Sequence, residues 1–129
     1  MSSKSNTPCP CGSEKNYDNC CEPFISGKQS APTAEALMRA RYTAYTLCEL
    51  DYIQKTLSTP KDFDPKAAQA WASQSEWKGL KILATELGKE SDKTGTVEFT
   101  ATYSHSDKTY EHHEVSQFKK NAKGEWRFV

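Results

Sequence analysis

Four of the five cysteines in this chain fall between positions 9 and 21, as Cys9-Pro10-Cys11 and the adjacent pair Cys20-Cys21, separated by eight residues. That crowding constrains the fold more than any other feature. Around it, residues 1–30 are rich in Pro, Gly, Ser, Asn and Asp, with little except Tyr17, Phe24 and Ile25 to bury. Such a segment needs a cross-link to hold a shape. An exported miniature domain would use disulfides, but the odd cysteine total leaves one thiol over, and the Met1 to Pro8 start has no apolar run of an export signal. No other stretch is long and apolar enough to span a membrane, so the expected compartment is the cytoplasm. In a reducing compartment, clustered thiols are better explained as metal ligands. Cys9, Cys11, Cys20 and Cys21 suit a tetrahedral, all-sulfur Zn²⁺ site in which no position is left for substrate, so the metal is expected to be structural. Pro10 and Gly12 set the tight turn between the first two ligands, and Cys20-Cys21 requires a turned or helical backbone. An iron–sulfur cluster and a redox dithiol are the competing readings. The loaded zinc site has a formal charge of about −2, which Lys4, Lys15 and Lys28 can partly offset.

Composition changes near Ser30. From Ala31 onward the chain is an ordinary globular mixture, and 129 residues leave room for one compact core plus this appendage. Lys plus Arg equals Asp plus Glu at 17 each, so no global basic field exists to hold nucleic acid or an anionic membrane. Lys119, Lys120 and Lys123 form only a local basic cluster, and nucleic acid is not an expected partner. Thr33 with Glu35 in the following turn predicts a capped helix from Thr33 to about Glu49. Ala34, Leu37, Met38, Arg41, Ala44, Tyr45 and Cys48 recur on one of its faces. Asp51 predicts the cap of a second short helix reaching about Leu57, and Asp64-Pro65 opens a third through Trp71. The period then changes to two. Leu80, Ile82 and Ala84 alternate with Leu83, Thr85 and Leu87, and Val97, Phe99, Ala101 and Tyr103 give the clearest strand. A hairpin at Ser104 to Lys108, a strand from Tyr110 to Lys119, a turn at Asn121 to Gly124 and a last strand from Glu125 complete an antiparallel meander. The expected class is α+β, with helices on one face of the sheet.

Cys9-Pro10-Cys11-Gly12-Ser13, Tyr17 and Cys20-Cys21 closely resemble the SEC-C motif, a zinc-binding element also found at the end of the SecA translocation ATPase. The segment from Ala34 to Tyr45, with Trp77-Lys78-Gly79-Leu80, Val97-Glu98-Phe99, His113-Glu114 and Ser116-Gln117-Phe118, resembles the YchJ-like family of bacterial proteins. That resemblance covers nearly the whole chain. It implies a nuclear transport factor 2-like domain over residues 31–129, a cone of helices packed on a curved antiparallel sheet, preceded by a SEC-C-like zinc segment over residues 1–30. It also implies contact with protein partners through the knuckle, as the equivalent element of the ATPase touches a chaperone and ribosomes. Glu14 departs from the motif, which often has Gly at that place.

Within a cone, the residues to consider as a ligand pocket are Arg41, Tyr45, Trp77, His113 and Glu114. Arg41 stands in an apolar stripe, where a cation either meets an acidic ligand or pairs internally; pairing with Glu114 is the favoured reading. Along Tyr110-Glu111-His112-His113-Glu114, strand parity puts His112 with Glu114 on one face and Glu111 with His113 on the other. A solvated edge strand is the plainer explanation of these polar residues. Tyr42, Tyr45, Trp71, Trp77 and Tyr103 could line such a cavity, yet aromatics at this spacing suit a core better, and Cys48 is expected to be a buried small hydrophobe rather than a nucleophile. No phosphate loop, nucleophile elbow or dinucleotide fingerprint occurs, and no residue is assigned a catalytic role. The favoured reading of function is an adapter that meets a protein through the zinc knuckle, and the alternative is a small-molecule binder or enzyme that uses the cone. Chelation is expected to unfold residues 1–30 while the rest survives.

Overall fold

The computed structural model describes residues 8–129; the preceding residues, including Lys4, lie outside this range. A 3₁₀ turn, Tyr17–Asn19, leads into α1 (Glu22–Ile25), followed by α2 (Ala34–Thr46), α3 (Leu50–Lys55), another 3₁₀ turn at Pro60–Asp62, and α4 (Pro65–Gln74). The sheet then forms from β1 (Glu76–Leu87), β2 (Thr94–His105), β3 (Lys108–Lys120) and β4 (Trp126–Phe128), in the order β1-β2-β3-β4 and antiparallel throughout. This is the expected α+β meander.

Two helix starts follow from their caps. The Thr33 side chain accepts from the Ala36 amide, and Asp64 accepts from the Lys66 and Ala67 amides, satisfying donors that a helix start leaves free. Asp51 is not a cap; α3 begins one residue before it, with Asp51 inside the first turn. The end of α2 differs more. Its last helical residue is Thr46, and the Glu49 amide then donates to the Ala44 carbonyl while the Cys48 amide donates to Tyr45. These bonds make a Schellman closure in which Cys48 takes the left-handed position, at φ 56°. Cys48 is therefore exposed, not buried on the apolar stripe.

β2 alternates as its sequence predicts, with Val97, Phe99 and Ala101 buried. β1 starts earlier than its periodicity suggested and carries irregularities at Trp77/Gly79 and Ile82/Ala84. The second moves Ala84 out of the inward row, and Leu83 and Leu87 are exposed. β4 pairs only with Phe118 to Lys120, so most of β3 has one unpaired edge, in keeping with the edge-strand reading.

Two hydrogen bonds fix the start of α2 against the sheet. The Ala34 amide donates to the Gly88 carbonyl at 2.9 Å, and Trp126 Nε1 donates to the Pro32 carbonyl at 3.1 Å. Gly88 and Gly95 lie so close that a Cβ on Gly95 would stand 2.4 Å from the Gly88 Cα, hence neither tolerates a side chain. The hydrophobic core passes without a break from Cys9, Cys11, Tyr17 and Cys21 through Leu37, Ala40 and Ala44 to Val97, Phe118 and Trp126. The change of composition near Ser30 is not a gap in packing.

Candidate functional site

Two faces of α2 meet two different chemistries. On one, Arg39 and Thr43 hold the cysteine segment; on the other, Met38, Arg41, Tyr42 and Tyr45 border a cavity.

The cysteine loop closes on itself through the Cys9 amide to the Lys15 carbonyl and the Gly12 amide to the Cys9 carbonyl. Cys20 ends the 3₁₀ turn and Cys21 caps α1, which turns both side chains toward Cys9 and Cys11 as the adjacent pair requires. All four Sγ atoms lie within 4.8 Å of one another. Cys11 and Cys20 are 3.6 Å apart and Cys20 and Cys21 3.9 Å, close to the ~3.8 Å edge of a tetrahedron built with metal–sulfur bonds of about 2.3 Å. The donor set and its spacing fit a four-sulfur metal centre. Ser13 Oγ reaches Cys20 at 3.1 Å, and the fully buried Thr43 hydroxyl stands 3.4 Å from Cys21 and 3.7 Å from Cys9. Among the thiols, sharing of hydrogen bonds with Cys21 and Cys9 lowers Cys11, while the same contact with Cys11 and burial raise Cys21. Burial pushes Cys20 up to about 11. A metal replaces this shared set of protons, and its uptake releases them.

Arg39 and Thr43 escaped sequence reasoning. Arg39 Nη1 donates to the Cys11 carbonyl at 2.7 Å and its Nε pairs with Glu35 at 3.0 Å, which puts a cation beside the cysteine cluster. Lys28 instead pairs with Glu22. Spacing of four from Glu35 to Arg39 was legible as a helix pair, but not its grip on the loop.

The cavity between α2, α3, α4 and the sheet has a volume of about 250 Å³. Tyr42, Tyr45, Trp71 and Trp77 form one wall, where Trp71 lies 5.2 Å from Tyr45 and 5.5 Å from Trp77. Burial raises Tyr42 to about 12 and raises Tyr45 as well, which keeps both phenols neutral. Phe99 and Ala101 of β2 form the facing wall together with their register partners on β3, Glu114 and His112. Tyr103 stacks outside the cavity on Tyr110.

Of the five predicted pocket residues, Arg41, Tyr45, Trp77 and Glu114 meet at this cavity. His113 does not. It points to the other face of the sheet and bonds Glu98 at 2.7 Å, because Ala101 opposite His112 fixes which parity faces inward. His112 takes the inward place, 3.1 Å from Glu114 Oε1 and edge-on to Trp71. Ser116 donates to the other Glu114 oxygen.

Arg41 is 6% exposed, and the expected ion pair with Glu114 is not formed. Its Nη1 donates to the Ile53 carbonyl at 2.8 Å and to Thr56 Oγ1 at 2.6 Å, and its guanidinium lies 4.6 Å from the centre of the Phe128 ring. Burial lowers its pKa to about 10, so it is charged at neutral pH.

Residues 33–129 match the YchJ middle NTF2-like domain. The chain belongs to the YchJ-like family. Within that family assignment, residues 6–23 match the SEC-C motif. Among similar YchJ-like relatives, UPF0225 protein GSU1048 of Geobacter sulfurreducens is 47% identical over 87% of this chain and 71% of its own length. A UPF0225 protein of Streptomyces coelicolor is 38% identical over 95% of this chain and 92% of its own. The solution structure of RPA3114, a SEC-C motif containing protein from Rhodopseudomonas palustris, superposes with a TM-score of 0.86 at 39% identity, covering 95% of both chains. A crystal structure of a SEC-C motif containing protein from Psychrobacter arcticus gives 0.84 at 34% identity, covering 98% of this chain and 82% of that one.

Proposed function

We propose that this YchJ-like protein is a receptor for a small organic molecule, held in the cone cavity, with zinc as a structural ion at Cys9, Cys11, Cys20 and Cys21. The observation that carries the reading is the pairing of an aromatic-walled cavity with a buried, charged Arg41 whose hydrogen-bond acceptors are both neutral. Cavities of this composition, apolar with a few convergent polar groups, are where small ligands bind.

Zinc is supported by four sulfur donors at tetrahedral spacing with every ligand position filled by protein. Thiolates held in this way suit a reducing compartment, which supports the cytoplasm. An adapter role through the knuckle ranks second. Three of the four cysteines are buried and face α2, which leaves the exposed residues around Glu14 and Lys15 as the surface for a protein partner.

The test is a titration of the zinc-loaded protein with small aromatic compounds, neutral and charged, followed by the indole N–H resonances. Trp71 and Trp77 border the cavity, while Trp126 packs at Pro32 and serves as an internal control. Saturable shifts at the first two, weakened by about tenfold in Ala101→Leu, which fills the cavity, are expected. If no compound moves Trp71 or Trp77, or if folded Ala101→Leu binds as tightly as the parent, the reading fails.

A further inference from the structure

We infer that the cone takes a monocarboxylate carried on a flat, single-ring body, with the carboxylate seated on Arg41; this rests on the cone-binding reading above. A guanidinium removed from water is costly unless something compensates its charge. Here the protein supplies a carbonyl, a hydroxyl and the face of a ring at contact distance, and Glu114, the carboxylate that shares the cavity, acts on Arg41 from beyond ion-pair distance. Both hydrogen bonds come from Nη1. They pin the group and leave the Nε–Nη2 edge without a protein acceptor. No fully buried side-chain nitrogen or oxygen among the described residues lacks a partner. The unpaired edge therefore keeps a small accessible surface, and the cavity is the space that Arg41 borders. Two parallel N–H groups on one edge match the two oxygens of a carboxylate.

The rest of the cavity limits the ligand further. A volume of about 250 Å³ is below the usual range for drug-sized molecules and admits about one ring with a short substituent. Trp71, Trp77 and Phe99 offer flat apolar walls, which favour an unsaturated body. Glu114 adds a negative charge to the same space, with His112 and Ser116 on its two oxygens. That charge disfavours a dianion such as a phosphate monoester, or a second carboxylate.

The experiment compares benzoate, its neutral isostere benzamide and the dianion phenyl phosphate on the zinc-loaded full chain, read by the Trp71 and Trp77 resonances. Benzoate should bind at least about tenfold more tightly than either of the others. Arg41→Gln should abolish the preference for benzoate over benzamide while indole, a neutral ring, still binds. The comparison on the unsubstituted protein decides the question even if Arg41→Gln does not fold. Equal binding of benzoate and benzamide overturns the carboxylate assignment and leaves the cone as a site for neutral rings. Tighter binding of phenyl phosphate also overturns it. If none of the three, nor indole, moves either resonance, this inference and the cone reading fall together.

Discussion

Glu14 is held at φ 69°, in the left-handed region where an L side chain crowds its own carbonyl. Its backbone turn is needed, because the Lys15 carbonyl that follows receives the Cys9 amide and closes the cysteine loop. This explains why the motif often has Gly at the place. Glu14→Gly should raise the stability of the loaded protein by about 0.5–1 kcal/mol, the strain relieved less the extra freedom of the unfolded chain. Midpoints of urea unfolding measure it; an unchanged or lower midpoint means that the turn is not strained. Cys48 occupies the same region of backbone space at the end of α2. A Gly there would have signalled a helix end in the sequence, but a cysteine continues the apolar period and conceals it. One residue type thus made the difference between a buried and an exposed thiol.

At the scale of elements, α3 is only six residues long and too short to persist alone. Tyr52 and Ile53 bury one side of it, and Arg41 of α2 binds its C-terminal turn through Ile53 and Thr56, where the helix dipole favours a cation. Thr56 is 2% exposed and also bonds the Tyr52 carbonyl. Thr56→Val keeps the shape but removes the acceptor, and should cost about 1–3 kcal/mol; Thr56→Ser retains the hydroxyl and should cost less than about 1 kcal/mol. Chemical denaturation of both variants checks this, and equal losses would show that only the methyl group matters. The sheet gives a different lesson. Strand parity separated His112 and Glu114 from His113 in the sequence, but which set faced the helices depended on a partner strand. Register alone, with Ala101 opposite His112, turned that set inward.

For the whole molecule, the cysteine segment and the cone share one core, with Cys9, Cys11 and Cys21 buried beside Leu37 and Ala40. Thr43 and Arg39 add polar links between the centre and α2. Removal of the metal by a chelator should therefore lower the thermal midpoint of the entire protein in one cooperative transition, with far-ultraviolet dichroism and tryptophan fluorescence lost together. An unchanged main transition after metal loss would establish two independent units, as composition alone suggests. The cysteine cluster, the α+β order, the caps at Thr33 and Asp64 and the clean strand around Phe99 were all legible in the chain, because each depends on neighbours a few residues away. Tertiary structure decided the rest. Arg41 found Thr56 rather than Glu114, His112 rather than His113 entered the cavity, and the cysteine segment from Cys9 to Ile25 joined the common core, since each outcome depends on which distant surfaces meet.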